Sequence, residues 1–104
     1  EMLNNMVNYV DEQITNCAIS LTTVADKFDL PIYTVSRLFK KATDTGFSEY
    51  ITAKRIEYAK MLLMTAPDKN LKEIAECSGF TNASYFIKIF KKICGVTPSK
   101  YRIA

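Results

Sequence analysis

The chain contains one short pattern twice, and this internal repeat limits what it can fold into. Residues 36–41 read SRLFKK, and residues 87–92 read IKIFKK, fifty-one positions later. Upstream, LTTVADKFDL at residues 21–30 is built like LKEIAECSGF at residues 71–80, at an offset of fifty. The second copy therefore has one extra residue in its turn, where Gly79 supplies flexibility. The repeat predicts two similar units, each made of a short helix, a tight turn and a longer helix.

The spacing of apolar residues extends this pattern along the chain of 104 residues. Apolar side chains recur three or four positions apart, which is the period of an amphipathic helix. Ser20 and Thr97 precede two of these segments as good N-caps, and Pro31 suits the first turn of the helix that it opens. The predicted helices cover approximately residues 3–14, 21–29, 31–43, 48–65, 82–94 and 98–102, with a further short helix that starts at Leu71.

Composition narrows the classes of function. The net charge of +3 is unevenly distributed, because residues 1–30 carry −4 and residues 77–104 carry +5. This segregation suits an anionic partner, although a solvated basic face would give the same count. No apolar run approaches the roughly 20 residues that a membrane span needs.

Cysteine and histidine usage argues against catalysis and metal binding. The chain has no histidine, and its three cysteines lack the C-x-x-C spacing of zinc sites. A nucleophilic Cys77 or Cys94 would have no histidine base to activate it, so an enzyme is the least favoured class. We expect no catalytic residue, metal or cofactor, and a reducing, cytoplasmic setting.

The longer helix of each repeat has an apolar face and a polar face. At about 100° per residue, one face gathers the predicted core residues Val35, Leu38, Phe39 and Ala42 in the first copy and Phe86, Ile89, Phe90 and Ile93 in the second. The opposite face gathers Tyr33, Ser36, Arg37 and Lys40 in the first copy and Ser84, Ile87, Lys88 and Lys91 in the second.

A helix face of this kind fits the major groove of DNA. Arginine or lysine can donate to guanine O6 and N7, hydroxyls can bond to either base type, and an aliphatic group such as Ile87 can pack on a thymine methyl. An isolated exposed isoleucine is also common on surfaces without a function. The surrounding side chains suit phosphate contacts, which fix the register without reading the sequence. This predicted phosphate set comprises Lys40, Lys41, Asn82, Tyr85, Lys91 and Lys92.

The predicted helix between the two copies sets their separation. Its 17 residues from 48 to 64 span about 26 Å, while successive major grooves lie about 34 Å apart on one side of DNA. The helix and its flanking modules are therefore long enough for both copies to contact one DNA face. Arg55 lies within the apolar arc of this helix. We expect it to hold the two copies together through an ion pair or backbone hydrogen bonds, or else to contact a phosphate.

SGFTNASYFIKIFKKICGVTPSKYR at residues 78–102 resembles the signature region of the AraC/XylS family of bacterial transcription regulators, in their C-terminal DNA-binding domain. The first half resembles that domain through SLTTVADKF, SRLFKK and RIEYAKMLL. The resemblance implies an all-α fold of about seven helices in two helix-turn-helix subdomains, residues 1–46 and 66–104, joined by a linker helix at residues 47–65. Two recognition helices, about residues 31–43 and 82–94, would then enter successive major grooves.

The resemblance also implies which positions read the bases. These are Tyr33, Ser36 and Arg37 in the first subdomain and Ala83, Ser84 and Lys88 in the second. Two departures from the family pattern fall in the first turn, where Asp29 stands in place of a common glycine and Pro31 in place of a serine cap. They leave the conformation of that turn open.

The leading hypothesis is sequence-specific binding of double-stranded DNA by a transcription activator, with RNA polymerase as a protein partner. The alternative is a helical protein–protein interaction module that would use the same repeated faces for docking. Because the chain begins at Glu1 without a methionine, we expect a C-terminal domain taken from a longer protein. Members of the resembled family usually carry a separate sensing or dimerisation domain.

Overall fold

The computed structural model describes residues 2–103 and divides into two compact units, unit 1 up to Lys54 and unit 2 from Arg55 onward. Within the described residues the chain forms seven helices and no strand, which confirms the predicted all-α fold. The helices are α1 (Met2–Glu12), α2 (Leu21–Phe28), α3 (Ile32–Thr43), α4 (Phe47–Thr65), α5 (Leu71–Cys77), α6 (Ala83–Cys94) and α7 (Pro98–Ile103).

Side-chain caps fix where the short helices begin. The Ser20 Oγ accepts a hydrogen bond from the Thr23 N–H at 3.2 Å, and the Thr23 Oγ1 accepts one from the Ser20 N–H at 3.0 Å. The reciprocal pair is a capping box, and it confirms the predicted start of α2. In unit 2, Asn70 and Glu73 form the same box at the start of α5, with both hydrogen bonds at 2.8 Å.

The turn between α2 and α3 closes through a left-handed residue, Asp29 (φ 55°, ψ 49°). The Leu30 N–H donates to the Ala25 carbonyl at 3.0 Å, and the Asp29 N–H donates to the Asp26 carbonyl at 3.4 Å. Aspartate is one of the few residues other than glycine that adopt this conformation. The departure from glycine at this position therefore leaves the turn intact.

Unit 2 closes its turn with the same hydrogen bonds. The Phe80 N–H donates to the Ala75 carbonyl at 2.9 Å, and the Gly79 N–H donates to the Glu76 carbonyl at 3.1 Å. The left-handed residue is Gly79, with φ of 96°. The repeat read from the sequence is thus a repeat of backbone hydrogen bonding.

The long helix of each unit begins just after its turn. Helix α3 starts at Ile32, one residue later than predicted, because Pro31 occupies the N-cap with an extended backbone and makes no side-chain cap bond. Helix α6 starts at Ala83, and its N-cap Asn82 accepts the Tyr85 N–H at 2.9 Å through its side-chain oxygen. The longer helix that the sequence predicts for each copy of the repeat is present in both units.

Each unit has its own apolar core. In unit 1 the Phe39 ring meets Phe47 and Tyr50 edge-on, at centroid distances of 5.4 and 5.0 Å. In unit 2 the Phe90 ring meets Tyr101 in the same way at 5.5 Å. The unit 1 core is Met6, Val10, Ile19, Val24, Ala25, Val35, Phe39 and Ile51, and the unit 2 core is Ile56, Ala59, Leu63, Ile74, Ala75, Phe80, Phe86 and Phe90.

The repeat continues beyond the lysine pairs. The Tyr50 N–H donates to the Gly46 carbonyl at 3.0 Å, and the Tyr101 N–H donates to the Thr97 carbonyl at 2.9 Å, fifty-one residues later. The first turns of α4 in unit 1 therefore correspond to α7 in unit 2, because each packs a tyrosine ring against the buried phenylalanine of the long helix. The predicted N-cap of α7 is confirmed, because the Thr97 Oγ1 accepts the Lys100 N–H at 3.3 Å.

Arg102 anchors α7 within unit 2. Its guanidinium donates to the carbonyls of Leu63 at 3.2 Å, Ala66 at 3.0 Å and Lys69 at 2.7 Å. The Leu63 carbonyl lies in the last turn of α4, where carbonyls lack partners within the helix, and the Ala66 and Lys69 carbonyls lie just beyond it, so Arg102 supplies donors and a positive charge at this end of α4.

Two residues predicted for the core are exposed. Ile93 is 50% exposed, and Ala42, at the equivalent position of unit 1, is exposed as well. Both lie in the last turn of a long helix, one turn beyond the fully buried Phe90 and Phe39. The apolar stripe of each helix runs further than the core that covers it.

Candidate nucleic-acid interface

The outer face of α3 presents the predicted base-reading residues to solvent. Ser36 and Arg37 are exposed, and Tyr33 is 71% exposed. Lys40 and Lys41 follow in the last turn and are exposed too. The buried Val35 and Phe39 hold the opposite face against the core of unit 1, so the five exposed side chains are carried on a fixed backbone.

Two of these side chains contact each other. The guanidinium carbon of Arg37 lies over the Tyr33 ring, 5.3 Å from its centroid. The two residues are four positions apart, a spacing that places side chains one above the other on a helix. An arginine held over an aromatic face gains a cation–π attraction.

On α6 the matching face is polar and cationic. Ser84 and Lys88 are exposed as predicted, while Ala83 is half-buried at the edge of the unit 2 core. Asn82 is exposed, and its side-chain oxygen is used as the helix cap. A phosphate contact by Asn82, which stays a prediction, therefore needs the amide nitrogen of its side chain.

The prediction that Ile87 points away from the core is wrong. Ile87 is half-buried and packs against the unit 2 core. At about 100° per residue, the helix places it roughly as far from the buried Phe86–Phe90 stripe on one side as Ile89 lies on the other. Lys88 occupies the middle of the outer face, and Ile87 borders it. A base contact by Ile87 stays a prediction, and it would involve only part of the side chain.

The remaining predicted phosphate contacts are also exposed. Lys91 and Lys92 lie in the last turn of α6, and Tyr85 is exposed with its ring 6.3 Å from that of Phe80. Cations in a last helical turn are favourable there without any ligand, because they face the negative end of the helix dipole. The lysines thus have a structural use in addition to the predicted phosphate contacts.

Sequence reasoning missed one exposed residue on this surface. Ile32, in the first turn of α3, is 48% exposed and adjoins Tyr33. The repeat offset of fifty-one aligns Ile32 with Ala83, which the family resemblance had already selected in the second unit. That alignment was the signal that could have found it.

Arg55 is half-buried on α4. Its predicted role, in holding the two copies together through an ion pair or backbone hydrogen bonds or else in contacting a phosphate, stays a prediction.

The three cysteines differ in their exposure. Burial raises the pKa of the Cys94 thiol, although the nearby Lys60 acts in the opposite direction. Cys17 and Cys77 are free and exposed.

In residues 2–103, histidine, cysteine, aspartate and glutamate side chains nowhere gather in groups of three or more that could hold a metal ion. None of the helices in the same part of the chain combines the length and the apolar character that crossing a membrane requires.

Charge differs sharply between the two units. Up to Lys54 the sequence has five basic and seven acidic residues, a net charge of −2. From Arg55 onward it has nine basic and four acidic residues, a net charge of +5. Both long helices nevertheless carry cations on their outer faces, and α3 itself contains no acidic residue.

The chain matches proteins of known family. The sequence model of a family described as a helix-turn-helix domain matches residues 24–104. The HTH-type transcriptional regulator YijO of Escherichia coli strain K12, itself uncharacterized, is 37% identical over 95 residues, which are 91% of this chain and 33% of that protein. The chain spans about a third of the length of such curated relatives.

Solved structures share the fold. The C-terminal domain of the two-component response regulator yesN from Fusobacterium nucleatum superposes with a TM-score of 0.89 at 37% identity, covering 95% of each chain. The DNA-binding domain of the global transcriptional factor AdpA, crystallised with a target DNA, has a TM-score of 0.89 at 24% identity, covering 97% of this chain and 89% of that one. At the latter identity the likeness concerns the fold.

Proposed function

The chain belongs to the AraC family of helix-turn-helix domains, and we therefore propose that it binds double-stranded DNA in a sequence-specific manner as part of a bacterial transcription regulator. The observation that carries the proposal is the repeated exposed face of α3 and α6. Helix α3 buries Val35 and Phe39 and helix α6 buries Phe86 and Phe90, while each helix presents hydroxyls and cations outward. A helix-turn-helix module presents such a second helix to the major groove.

The two faces divide into residues that read bases and residues that hold phosphates. We assign the base-reading set to Tyr33, Ser36 and Arg37 on α3, with Tyr33 acting either directly or through Arg37, and to Ala83, Ser84, Ile87 and Lys88 on α6. The phosphate set is Lys40, Lys41, Asn82, Tyr85, Lys91 and Lys92. The lysines at the helix ends suit phosphates, because a flexible ammonium is a good point charge for the backbone but a poor reader of sequence.

Proteins similar to this chain support the proposal independently of its structure. Those that the chain matches are described as transcriptional regulators, and the AdpA domain, which has the same fold, was crystallised on a target DNA. We further propose that the chain works without catalysis, in the cytoplasm, within a longer protein. The rest of that protein would supply sensing or dimerisation, and RNA polymerase would be a partner if the regulator is an activator.

The proposal is tested by selecting preferred duplexes from a random pool and titrating them against salt. A sequence-specific protein should enrich one site, and log K should fall by about 0.9 per phosphate contact for each unit of log salt. The selected site also yields the half-sites and their spacing. Recovery of no preferred duplex would show that the specific-reader proposal is wrong.

Single substitutions separate the two sets of contacts. Arg37→Ala and Lys88→Ala should each cost about 1 to 3 kcal/mol on the preferred site and relax specificity locally. Lys91→Ala and Lys92→Ala should weaken binding to all sequences alike and lower the salt slope. Lys54→Ala is the control, because Lys54 is exposed on α4 outside both faces. A control variant as weak as Arg37→Ala would refute the assignment.

Ile87→Ser tests the residue that the structure places at the border of the outer face. If Ile87 packs on a thymine methyl, the substitution should weaken binding mainly where the site offers a thymine to α6. An equal loss on every sequence would assign Ile87 to packing against the unit 2 core.

A protein–protein interaction module remains the alternative. It would use the same outer faces as docking surfaces, with a partner in place of DNA. Arg37→Ala and Lys88→Ala would then weaken binding to the protein partner while leaving binding to a random duplex unchanged. Affinity for the selected duplex that falls steeply with salt favours DNA.

A further inference from the structure

The contact between Tyr33 and Arg37 distinguishes the outer face of α3 from that of α6. Arg37 lies over the Tyr33 ring at 5.3 Å, and both side chains are exposed. At the equivalent positions of α6, fifty-one residues later, stand Ser84 and Lys88. Serine offers no ring, and the lysine ammonium has no planar face to stack. The Ser84–Lys88 pair therefore cannot hold its cation as the Tyr33–Arg37 pair does.

Stacking leaves the guanidinium able to read a base. The contact uses the flat face of the group, whereas its N–H donors point outward in the plane of the fork. Two of those donors match guanine O6 and N7. An arginine that is already oriented loses less side-chain freedom on binding, because part of the ordering cost is met before DNA arrives.

We propose that Tyr33 is a positioning residue that holds the Arg37 guanidinium, through its ring face, for bidentate donation to a guanine. The inference rests on the proposed DNA-binding function and refines it. It departs from a direct base-reading role for Tyr33, in which the phenol hydroxyl would be the group in use. It also implies that the half-site bound by unit 1 is more strictly selective at one guanine than the half-site bound by unit 2.

The test uses the duplex selected by the unmodified chain and its derivatives with each of the four base pairs at every position. Affinities are measured for the unmodified chain, Tyr33→Phe, Tyr33→Leu, Arg37→Ala and the double variant Tyr33→Leu/Arg37→Ala. The guanine contacted by Arg37 is the position at which Arg37→Ala abolishes a base preference. Because Tyr33 and Arg37 are exposed, these variants are expected to keep the helical circular dichroism of the parent.

At that position, Tyr33→Leu should lower the preference for guanine about two- to fivefold, the factor that an exposed cation–π contact supplies. Tyr33→Phe should retain the preference, because phenylalanine keeps the ring and lacks only the hydroxyl. In the Arg37→Ala background, Tyr33→Leu should have no further effect on base preference, since the two residues act through one contact.

Three results would overturn the inference. Equal losses for Tyr33→Phe and Tyr33→Leu would assign the effect to the hydroxyl. Additive effects in the double variant would show that Tyr33 acts independently of Arg37, and an unchanged preference in Arg37→Ala would remove the guanine contact. In each case the unmodified chain still selects a duplex, so the proposed function would stand. If the unmodified chain selects none, the proposed function fails, and this inference fails with it.

Discussion

Units 1 and 2 close equivalent turns with different residues. Unit 1 uses aspartate twice, at Asp29 with φ of 55° and Asp44 with φ of 63°, where unit 2 uses Gly79 and Gly95 at 96° and 84°. The backbone hydrogen bonds around the two pairs match. The Asp44 N–H donates to the Lys40 carbonyl at 2.7 Å, and the Gly95 N–H donates to the equivalent carbonyl at 2.8 Å.

The backbone hydrogen bonds set the conformation of the turn, and the residue type at the left-handed position sets the free-energy cost of that conformation. A left-handed conformation costs an L residue about 1 to 2 kcal/mol, less for aspartate and nothing for glycine. Asp29 and Asp44 also place negative charge at the C-terminal ends of α2 and α3, where the helix dipole favours cations. Unit 1 therefore bears a strain and a charge cost that unit 2 avoids, and its net charge is −2 against +5.

Removing the phenylalanine ring at the centre of each core should have the largest effect on stability, and it tests whether the two cores are packed equivalently. Phe39 and Phe90 occupy equivalent positions and are fully buried. Phe39→Ala and Phe90→Ala should each lower the free energy of unfolding by about 3 to 5 kcal/mol, measured by urea denaturation. Values that differ by more than about 2 kcal/mol would show that the repeat does not extend to core packing.

Removing Arg102 tests the carbonyl contacts of unit 2, which are not part of the repeat. At the equivalent position of unit 1 stands the buried Ile51. Arg102→Ala should lower the free energy of unfolding by about 2 to 3 kcal/mol, because three carbonyls lose a charged donor. Arg102→Lys is the matched control and should recover only part of the loss, since an ammonium cannot span three carbonyls as a guanidinium does. A full recovery would show that charge alone matters.

Substitutions at the C-caps of α6 and α3 test the difference in left-handed strain directly. Gly95→Ala should lower the free energy of unfolding by about 1 kcal/mol, because left-handed strain outweighs the reduced entropy of the unfolded chain. A Cβ at this position would meet no atom within 4 Å, so strain is the cause tested. Asp44→Gly should have the opposite sign and raise it by about 0.5 kcal/mol. A loss of stability in Asp44→Gly would show that the aspartate side chain makes a compensating contact.

The smallest expected effect concerns a tyrosine of unit 1. The Tyr50 hydroxyl donates to the Asp11 carboxylate at 2.6 Å, and burial together with this bond raises the pKa of Tyr50 to about 12. The unfolded tyrosine loses its proton near the ordinary pKa of about 10. Between these values the folded state binds more protons, so stability should be intact below pH 10 and fall as the pH rises toward 12. Tyr50→Phe should show a shallower decline in that range, and equal slopes would exclude the link.

Much of the fold was predictable because its signals are local. The caps at Ser20 and Thr97 lie next to the residues whose amides they accept, and the core periodicity lies within single helices. The errors at Ala42 and Ile93 have one physical origin. A periodic pattern gives the direction in which a side chain points, but not where the neighbouring core ends.

The candidate site was predictable to a similar extent and for the same reason. The outward direction of Arg37 and Lys88 follows from helical angles, and the i, i+4 spacing could have revealed the pairing of Arg37 with Tyr33. The position of Ile87 was misjudged because it borders two faces. The carbonyl contacts of Arg102 join residues 33 to 39 positions apart, and no pattern in the sequence encodes such distances.

The matched turns supply an internal pair of probes for hydrogen exchange. The amide of Leu30 is held by the Ala25 carbonyl and the amide of Phe80 by the Ala75 carbonyl, at 3.0 and 2.9 Å. Each amide can exchange with solvent only when the turn of its own unit opens, so its protection reports the free energy of that opening. One sample therefore gives two opening energies, which compare the local stability around the Asp29 turn of unit 1 with that around the Gly79 turn of unit 2.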